Sequence, residues 1–209
     1  MGRWRAWLVA GGVLLSLANA GRAAERAPRD VVGTLNGALL DVLKHAEALG
    51  YRGRFDRLKP VMQDTFDLPF MAEKSLGLRW KALGDADRTH WIAVFGDFTV
   101  ASYAANFDHY TGQSFEVLGE EPAASGTRLV RTRVVVPGAD SVDFAYRLRP
   151  TGDRWAIVDV YLKGTVSELA LRRSDYASAL EREGFDGLLA TMHRKIADLA
   201  AGRGKREGM

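Results

Sequence analysis

The chain predicts an α+β fold of one domain, with helices at both ends closing over one antiparallel sheet, and three observations carry that reading. Apolar side chains recur at helical spacing up to about residue 110. Residues 115 to 162 then break into short runs of β-branched and aromatic residues, and helical spacing resumes after Gly164. Length agrees, because a leader of twenty residues leaves 189 of the 209 for the mature chain, and a domain takes roughly 100 to 200.

The leader is read from Met1–Arg5, a basic start, Ala6–Ala18, an apolar run, and Ala18-Asn19-Ala20, a small-x-small cleavage site before Gly21. The apolar stretch falls short of the roughly 20 residues of a bilayer span and contains Gly11, Gly12 and Ser16, which favours a cleaved signal over an anchor helix. Residues 1–20 are therefore expected to be a signal peptide, 21–201 the domain, and 202–209 a disordered polar tail. The mature protein is expected in the periplasm.

Pro28 and Asp30 open a helix on which Val31, Leu35, Leu39, Val42, Ala46 and Leu49 recur until Gly50. Phe55, Leu58, Met62 and Phe66 continue the period, with a kink or restart expected at Pro60 and an end at Asp67-Leu68-Pro69. A short helix from Phe70 to Leu78 follows, and Asp85 is the expected N-cap of a long helix whose stripe is Trp91, Phe95, Phe98, Ser102 and Ala105, closed by Phe107 and Tyr110. Four strands are expected at Phe115–Gly119, Arg128–Val136, Val142–Arg149 and Trp155–Leu162. Their connections are too short for crossover helices, so the sheet should be an antiparallel meander. In the third strand Val142, Phe144, Tyr146 and Leu148 share the buried face; in the fourth, Val158, Val160 and Leu162 oppose Ile157, Asp159 and Tyr161. Val166, Leu169, Leu171, Tyr176 and Leu180 form a helix that stops at Gly184, and Phe185, Leu188, Leu189, Met192, Ile196 and Leu199 a last one.

Composition narrows the function. With 47% hydrophobic residues, 10% aromatic and 26% charged, the chain can bury a core and keep an ordinary soluble surface. Loss of Arg3 and Arg5 with the leader leaves 27 basic against 26 acidic residues, which gives no case for nucleic acid. The absence of cysteine excludes disulfides, thiolate metal sites and cysteine nucleophiles. His45, His90, His109 and His193 fit no metal spacing, and no serine-hydrolase elbow, Walker loop or dinucleotide fingerprint is present, so no cofactor is expected.

Several stretches taken together resemble the MlaC family of periplasmic phospholipid-binding and toluene-tolerance proteins, over roughly residues 30 to 200. They are Phe66-Asp67 with Leu76-Gly77 and Trp80, the long helix through Phe95, Tyr103 and Tyr110, the run from Gly152 to Val160 (Gly-Asp-Arg-Trp-Ala-Ile-Val-Asp-Val), Gly164, and Gly184-Phe185-Asp186-Gly187-Leu188. The likeness is greatest to the hopanoid-associated HpnM branch. It implies an NTF2-like curled sheet of about four strands whose helices enclose an apolar pocket. It also implies a monomer that shuttles phospholipid or hopanoid between an inner-membrane lipid transporter of the ABC type and an outer-membrane lipoprotein complex. One departure stands out: the family pattern Gly-x-Ser-Leu before a Tyr-Arg-x-x-Phe helix is replaced by Gly164-Thr165-Val166-Ser167-Glu168-Leu169 with Arg172-Arg173-Ser174-Asp175-Tyr176 after it. It implies a ligand at that rim other than a common phospholipid.

A pocket for tails needs a dry cavity walled by large apolar side chains and a mouth where the head stays wet. The side chains expected to wall it are Phe66, Phe70, Met71 and Leu76; Phe95, Phe98, Tyr103 and Phe107 on the long helix; Val134, Phe144, Tyr146, Val158 and Val160 on the strands; and Leu169, Tyr176 and Phe185 behind them. For most of these, ordinary core is the simpler reading. Asp159, in an otherwise apolar strand with Tyr103, Tyr146 and Tyr161 elsewhere in the chain, keeps a second class open, an isomerase or hydratase that moves protons on a carboxylate inside an apolar cone. The plain alternative for Asp159 is an outward carboxylate bonded to a turn. A third reading is a structural adaptor of an envelope complex. Arg128, Arg131, Arg133, Arg147, Arg149 and Arg154 cluster on the strands and their turns, either as a solvated face or as a patch for an acidic partner or an anionic membrane.

Export should leave a mature protein beginning near Gly21 in the soluble periplasmic fraction. Intact-mass measurement on the exported protein checks this, and a mass that keeps residues 1–20 would count against it.

Overall fold

In the computed structural model, which describes residues 26–163 and 165–203, helix α1 (Pro28–Lys44) starts on a proline that gives up only an orphan N–H, and it buries Val31, Val32, Leu35, Leu39, Val42 and Leu43. The expected leader over 1–20, the tail from residue 204 and Gly164 lie outside the described residues. Helix α2 (Ala46–Thr65) leaves helical geometry at Gly50 (φ 56°), the residue at which the first helix is expected to stop, and passes through Pro60 without the kink or restart expected there. Asp67-Leu68-Pro69 begins a helix as well as ending one. Asp67 caps α3 (Leu68–Leu76) by accepting from Phe70 N at 3.2 Å, with Pro69 in the first turn. After a 3-10 segment, Gly77–Ala82, comes α4 (Asp85–Asn106), whose N-cap is Gly84. Asp85, expected as the cap, is the first helical residue and with Asp87 places negative charge against the positive end of the helix dipole. The helix ends at Asn106, four residues short of Tyr110.

The sheet is an open, curled antiparallel meander, β1 (Ser114–Ala123), β2 (Thr127–Val135), β3 (Val142–Thr151), β4 (Arg154–Leu162) and β5 (Val166–Ser167), in sequential order. The fifth strand went unanticipated because two residues are too few for any alternation to show; they pair Tyr161 with Ser167. Helix α5 (Glu168–Ala200) bends where expected, at Gly184, whose φ of 69° is cheap only without a Cβ. All five helices pack against the concave face or one another around one apolar core in which Trp91, Phe66, Phe95, Leu148 and Ile157 are fully buried. Trp91 donates its ring N–H to Ala72 O at 3.0 Å and to Ser75 Oγ at 3.2 Å, so its burial leaves no polar atom stranded.

A bulge in β4 changes which side chains face that core. Arg147 pairs with Asp159 and the next residue, Leu148, with Ile157, which leaves Val158 as the extra residue. Alternation is interrupted there, so Ile157 and Val160 both join the main core cluster, whereas Val158, expected to share the face of Val160, is buried but is not part of that cluster. The simple period-two reading of this strand is thereby corrected.

Asp67 fastens the helices to the sheet. Its carboxylate accepts from Arg149 Nε at 3.0 Å and Nη2 at 2.8 Å and from Thr151 Oγ at 3.3 Å, while its backbone N–H donates to Ile157 O at 2.8 Å. Arg149 in turn lies 4.1 Å from the Phe70 ring centroid. The other arginines of the strand cluster are also occupied: Arg128 pairs with Glu120, Arg131 with Glu121, Arg133 bidentately with Asp143, and Arg154 donates to Asp64 O. Among the described residues neither Arg147 nor Arg154 has an ion pair; Arg154 is held by the Asp64 carbonyl and Arg147 lies over Tyr161. A basic patch free of carboxylate partners is therefore reduced to two guanidiniums, of which Arg154 is already bonded to a carbonyl.

Asp67→Ala should lower stability by about 2 to 4 kcal/mol, since it removes a cap and leaves Arg149 without its carboxylate. The urea midpoint measures it. Arg131→Ala, at an exposed pair, should scarcely move that midpoint.

Candidate functional site

Between the concave sheet face and the helices lies a cavity of about 300 Å³. Its floor is Phe144 and Tyr146 of β3 with Val160 and Leu162 of β4, which point inward because β3 keeps strict alternation and β4 regains it after the bulge. Phe66 and Met71, at the α2–α3 junction held by Asp67, form one wall. Phe98, Thr99, Ser102, Tyr103 and Asn106 of α4, with Phe107, form another. Helix α5 roofs it from both sides of its bend, with Glu168, Leu169, Arg172, Asp175 and Tyr176 before Gly184, and Lys195, Asp198 and Leu199 after it.

Of the sixteen residues expected at a pocket wall, ten line this cavity: Phe66, Met71, Phe98, Tyr103, Phe107, Phe144, Tyr146, Val160, Leu169 and Tyr176. The other six do not. Leu76, Phe95 and Val134 are buried in the core and Phe185 packs against it; Phe70 lies under Arg149; Val158 is the bulge residue. Of the polar lining, the sequence draws only the segment with Glu168, Arg172 and Asp175 to a ligand rim, through its departure from the family pattern. The rest left a trace on α4, where Thr99, Ser102, Tyr103 and Asn106 stand at i, i+3, i+4 and i+7 in an otherwise core-forming helix.

The aromatic wall is continuous. Tyr103 meets Phe66 edge-on at 6.0 Å and stacks on Phe107 at 5.7 Å, which stacks on Phe115 at 6.2 Å. Tyr103 and Tyr146 hydrogen-bond to each other at the floor. Burial, with a rise added by Glu168, pushes the Tyr103 phenol up to about 12 against the opposing effects of Arg172 and of the bond to Tyr146. Burial and the neighbouring Tyr103 push Tyr146 well above the ordinary tyrosine range. Both phenols therefore remain neutral at physiological pH. Arg172 donates to Thr99 Oγ at 2.9 Å and lies 5.1 Å from the Phe98 ring centroid, so its position at the mouth is set by a hydrogen bond and a stacking contact together.

Asp159 is 8% exposed and lies outside the cavity lining. One of its oxygens accepts from Val160 N at 2.8 Å and Leu169 N at 3.2 Å, the other from Ser167 Oγ at 2.6 Å, and Ser167 itself caps α5 by accepting from Ala170 N. Its work is to hold the N-terminus of α5 against β4. A carboxylate so engaged is not aimed at anything in the cavity, and the proton-transfer geometry on which an isomerase reading depends is not formed. Among the described residues no group of three His, Cys, Asp or Glu side chains could hold a metal ion, and no helix is long and apolar enough to cross a membrane.

The fold has a solved counterpart. A phospholipid-binding protein from Ralstonia solanacearum, whose structure was determined in complex with a phospholipid at 1.53 Å, superposes with a TM-score of 0.73 at 19% sequence identity, covering 85% of this chain and 99% of that one. No curated protein matches the chain. The family model described as MlaC protein matches residues 34–194, which takes in the Asp67 junction, the whole sheet, all of α4 and α5 through its bend at Gly184 as far as residue 194, and on that match the chain belongs to the MlaC family.

Proposed function

We propose that the protein is a periplasmic lipid carrier that takes the tail of an amphiphile into the cavity between the sheet and α4–α5 and leaves its head at the rim. The observation that carries this reading is the cavity itself, apolar and aromatic on the sheet side and polar at the mouth, in a chain of the MlaC family. The Ralstonia protein of the same fold, held with a phospholipid, supports it. Burial supplies enough energy: at about 0.8 kcal/mol per methylene, a long acyl chain offers on the order of 10 kcal/mol gross. A bilayer offers the chain a comparable gain, so transfer in either direction is nearly balanced, as a shuttle between an inner-membrane transporter and an outer-membrane lipoprotein complex requires.

The cargo is either a phospholipid or a hopanoid, the latter as in the HpnM branch. The segment that departs from the family pattern supports a cargo distinct from the common one, since it contributes Glu168, Arg172, Asp175 and Tyr176 to the cavity wall. The cavity volume lies at the low end of the roughly 300 to 1,000 Å³ of small-molecule sites.

Mass spectrometry of lipid extracted from the purified mature protein tests the proposal, and a wild type that carries none would overturn it. Phe144→Glu or Val160→Glu should lose the copurifying lipid while the cooperative melt survives, because an ion on the floor finds no partner along a methylene chain. Asp159→Asn should keep its lipid and lose about 1 to 2 kcal/mol of stability, read from the urea midpoint, through its weakened grip on α5. Loss of lipid from Asp159→Asn at full stability would move that residue from the scaffold to the site.

A further inference from the structure

His90 and His193 lie far apart in sequence, where no spacing pattern could join them, and meet in space. Their rings, one on α4 and one on α5, stand with centroids 6.0 Å apart and planes 44° apart. Both residues are exposed, and neither makes a hydrogen bond or an ion pair among the described residues, which leaves their ring nitrogens to solvent. His45, by contrast, is held through Nδ1 by Asp41 O at 2.9 Å. The backbone under the pair is fixed by the core. Trp91, next to His90, and Met192, next to His193, are both fully buried, and Trp91 of α4 packs 5.1 Å from Tyr176 and 6.4 Å from Phe185 of α5, between ring centroids.

A neutral imidazole keeps one nitrogen lone pair, and that is the commonest metal ligand in proteins. Two such nitrogens about 2.0 to 2.1 Å from one ion put their ring centroids roughly 4.5 to 6.4 Å apart as the angle at the ion opens from about 90° toward 180°. The observed 6.0 Å falls inside that range, and side chains this exposed can turn about χ2 to aim a nitrogen at the ion. Asp97 is not a third ligand. It shares a surface groove with His193, but it stands two turns along α4 from His90 and is paired with Lys59 at 2.8 Å.

We infer that His90 and His193 form a surface site for a divalent transition-metal ion of the class that prefers imidazole, Cu(II) first, with Ni(II) and Zn(II) behind it. No third His, Asp or Glu joins them among the described residues, so water completes the coordination. The site is therefore weaker than a closed centre of four protein ligands, and it keeps positions open to a ligand from solution. Neither histidine lines the cavity, but α4 and α5 both wall it, so the ion ties those two helices together from outside. Metal binding there does not depend on the carrier reading.

The experiment uses tag-free mature protein stripped with a chelator and titrated calorimetrically with Cu(II), Ni(II) or Zn(II) chloride in a non-coordinating buffer. One saturable equivalent is expected, tightest for Cu(II). His90→Gln and His193→Gln should each weaken it at least about tenfold, the lower end of what losing even a group that only orients a ligand costs. The double variant His45→Gln with His109→Gln should bind as the wild type does. With the ion at about one hundred times its Kd, the ratio of folded to unfolded protein should rise by up to about a hundredfold, read as a higher urea midpoint, and each single variant should gain about tenfold less at the same concentration. Pulsed EPR of the one-equivalent Cu(II) complex counts coordinated imidazoles without any substitution: two supports the inference and one overturns it. No saturable binding by the wild type, an affinity that either substitution leaves unchanged, or one lost only with His45 and His109 also overturns it. Both side chains are exposed, so the metal-free variants should melt cooperatively as the wild type does, and the EPR count decides if one does not.

Discussion

The Asp67 carboxylate is the point at which the helical layer and the sheet are made one body. It caps α3, takes both Arg149 donors and the Thr151 hydroxyl, and stands beside the backbone bond that ties the α2–α3 junction to Ile157. Phe66 and Met71, which flank it in sequence, are cavity wall. The cavity is thus bounded on one side by residues whose position is set by charge-assisted hydrogen bonds, which are directional, and the apolar packing around them can leave a void because it does not have to fix the geometry. Gly77, at the far end of α3, shows how closely this layer meets α5: a Cβ there would stand 2.7 Å from the Arg173 guanidinium, and its φ is 57°.

A second carboxylate does the same for the roof. Asp159 and Ser167 together satisfy the first N–H groups of α5, so the helix that contributes most of the charged rim is anchored at its start. The bulge at Val158 immediately precedes this anchor. It turns Ile157 into the core while the strand regains its inward alternation at Val160. Bulge, cap and rim form one sequence of causes in which each step positions the next.

The cavity has two chemically different sides, and the proposed carriage of an amphiphile would use both. The sheet side and the Phe66–Tyr103–Phe107–Phe115 aromatic run hold a tail without directionality, so a tail can slide in or out with little change in energy along its length. The α4–α5 side is directional and sits where a head would come to rest. Neutral, mutually bonded tyrosines at the floor let the apolar region extend past two hydroxyl groups without a stranded charge.

Element types and their order were legible from periodicity alone, because long amphipathic helices and alternating strands leave strong patterns; the break at Gly184 and the antiparallel meander followed from φ freedom and from connection length. The apolar half of the cavity was legible for a related reason, since a residue on the inner face of a strand is apolar whether it meets core or void. For the same reason the sequence could not separate Phe95 and Leu76, which are packed, from Phe98 and Phe107, which face space. It also hid the Val158 bulge, which needs the register of two strands, and the role of Asp159, which depends on a helix start ten residues away. What the chain by itself determined is an α+β domain with an apolar interior and a family likeness. Which of its apolar residues surround a cavity, and which polar ones guard it, was decided by tertiary structure, because both depend on distances between segments that local spacing does not encode.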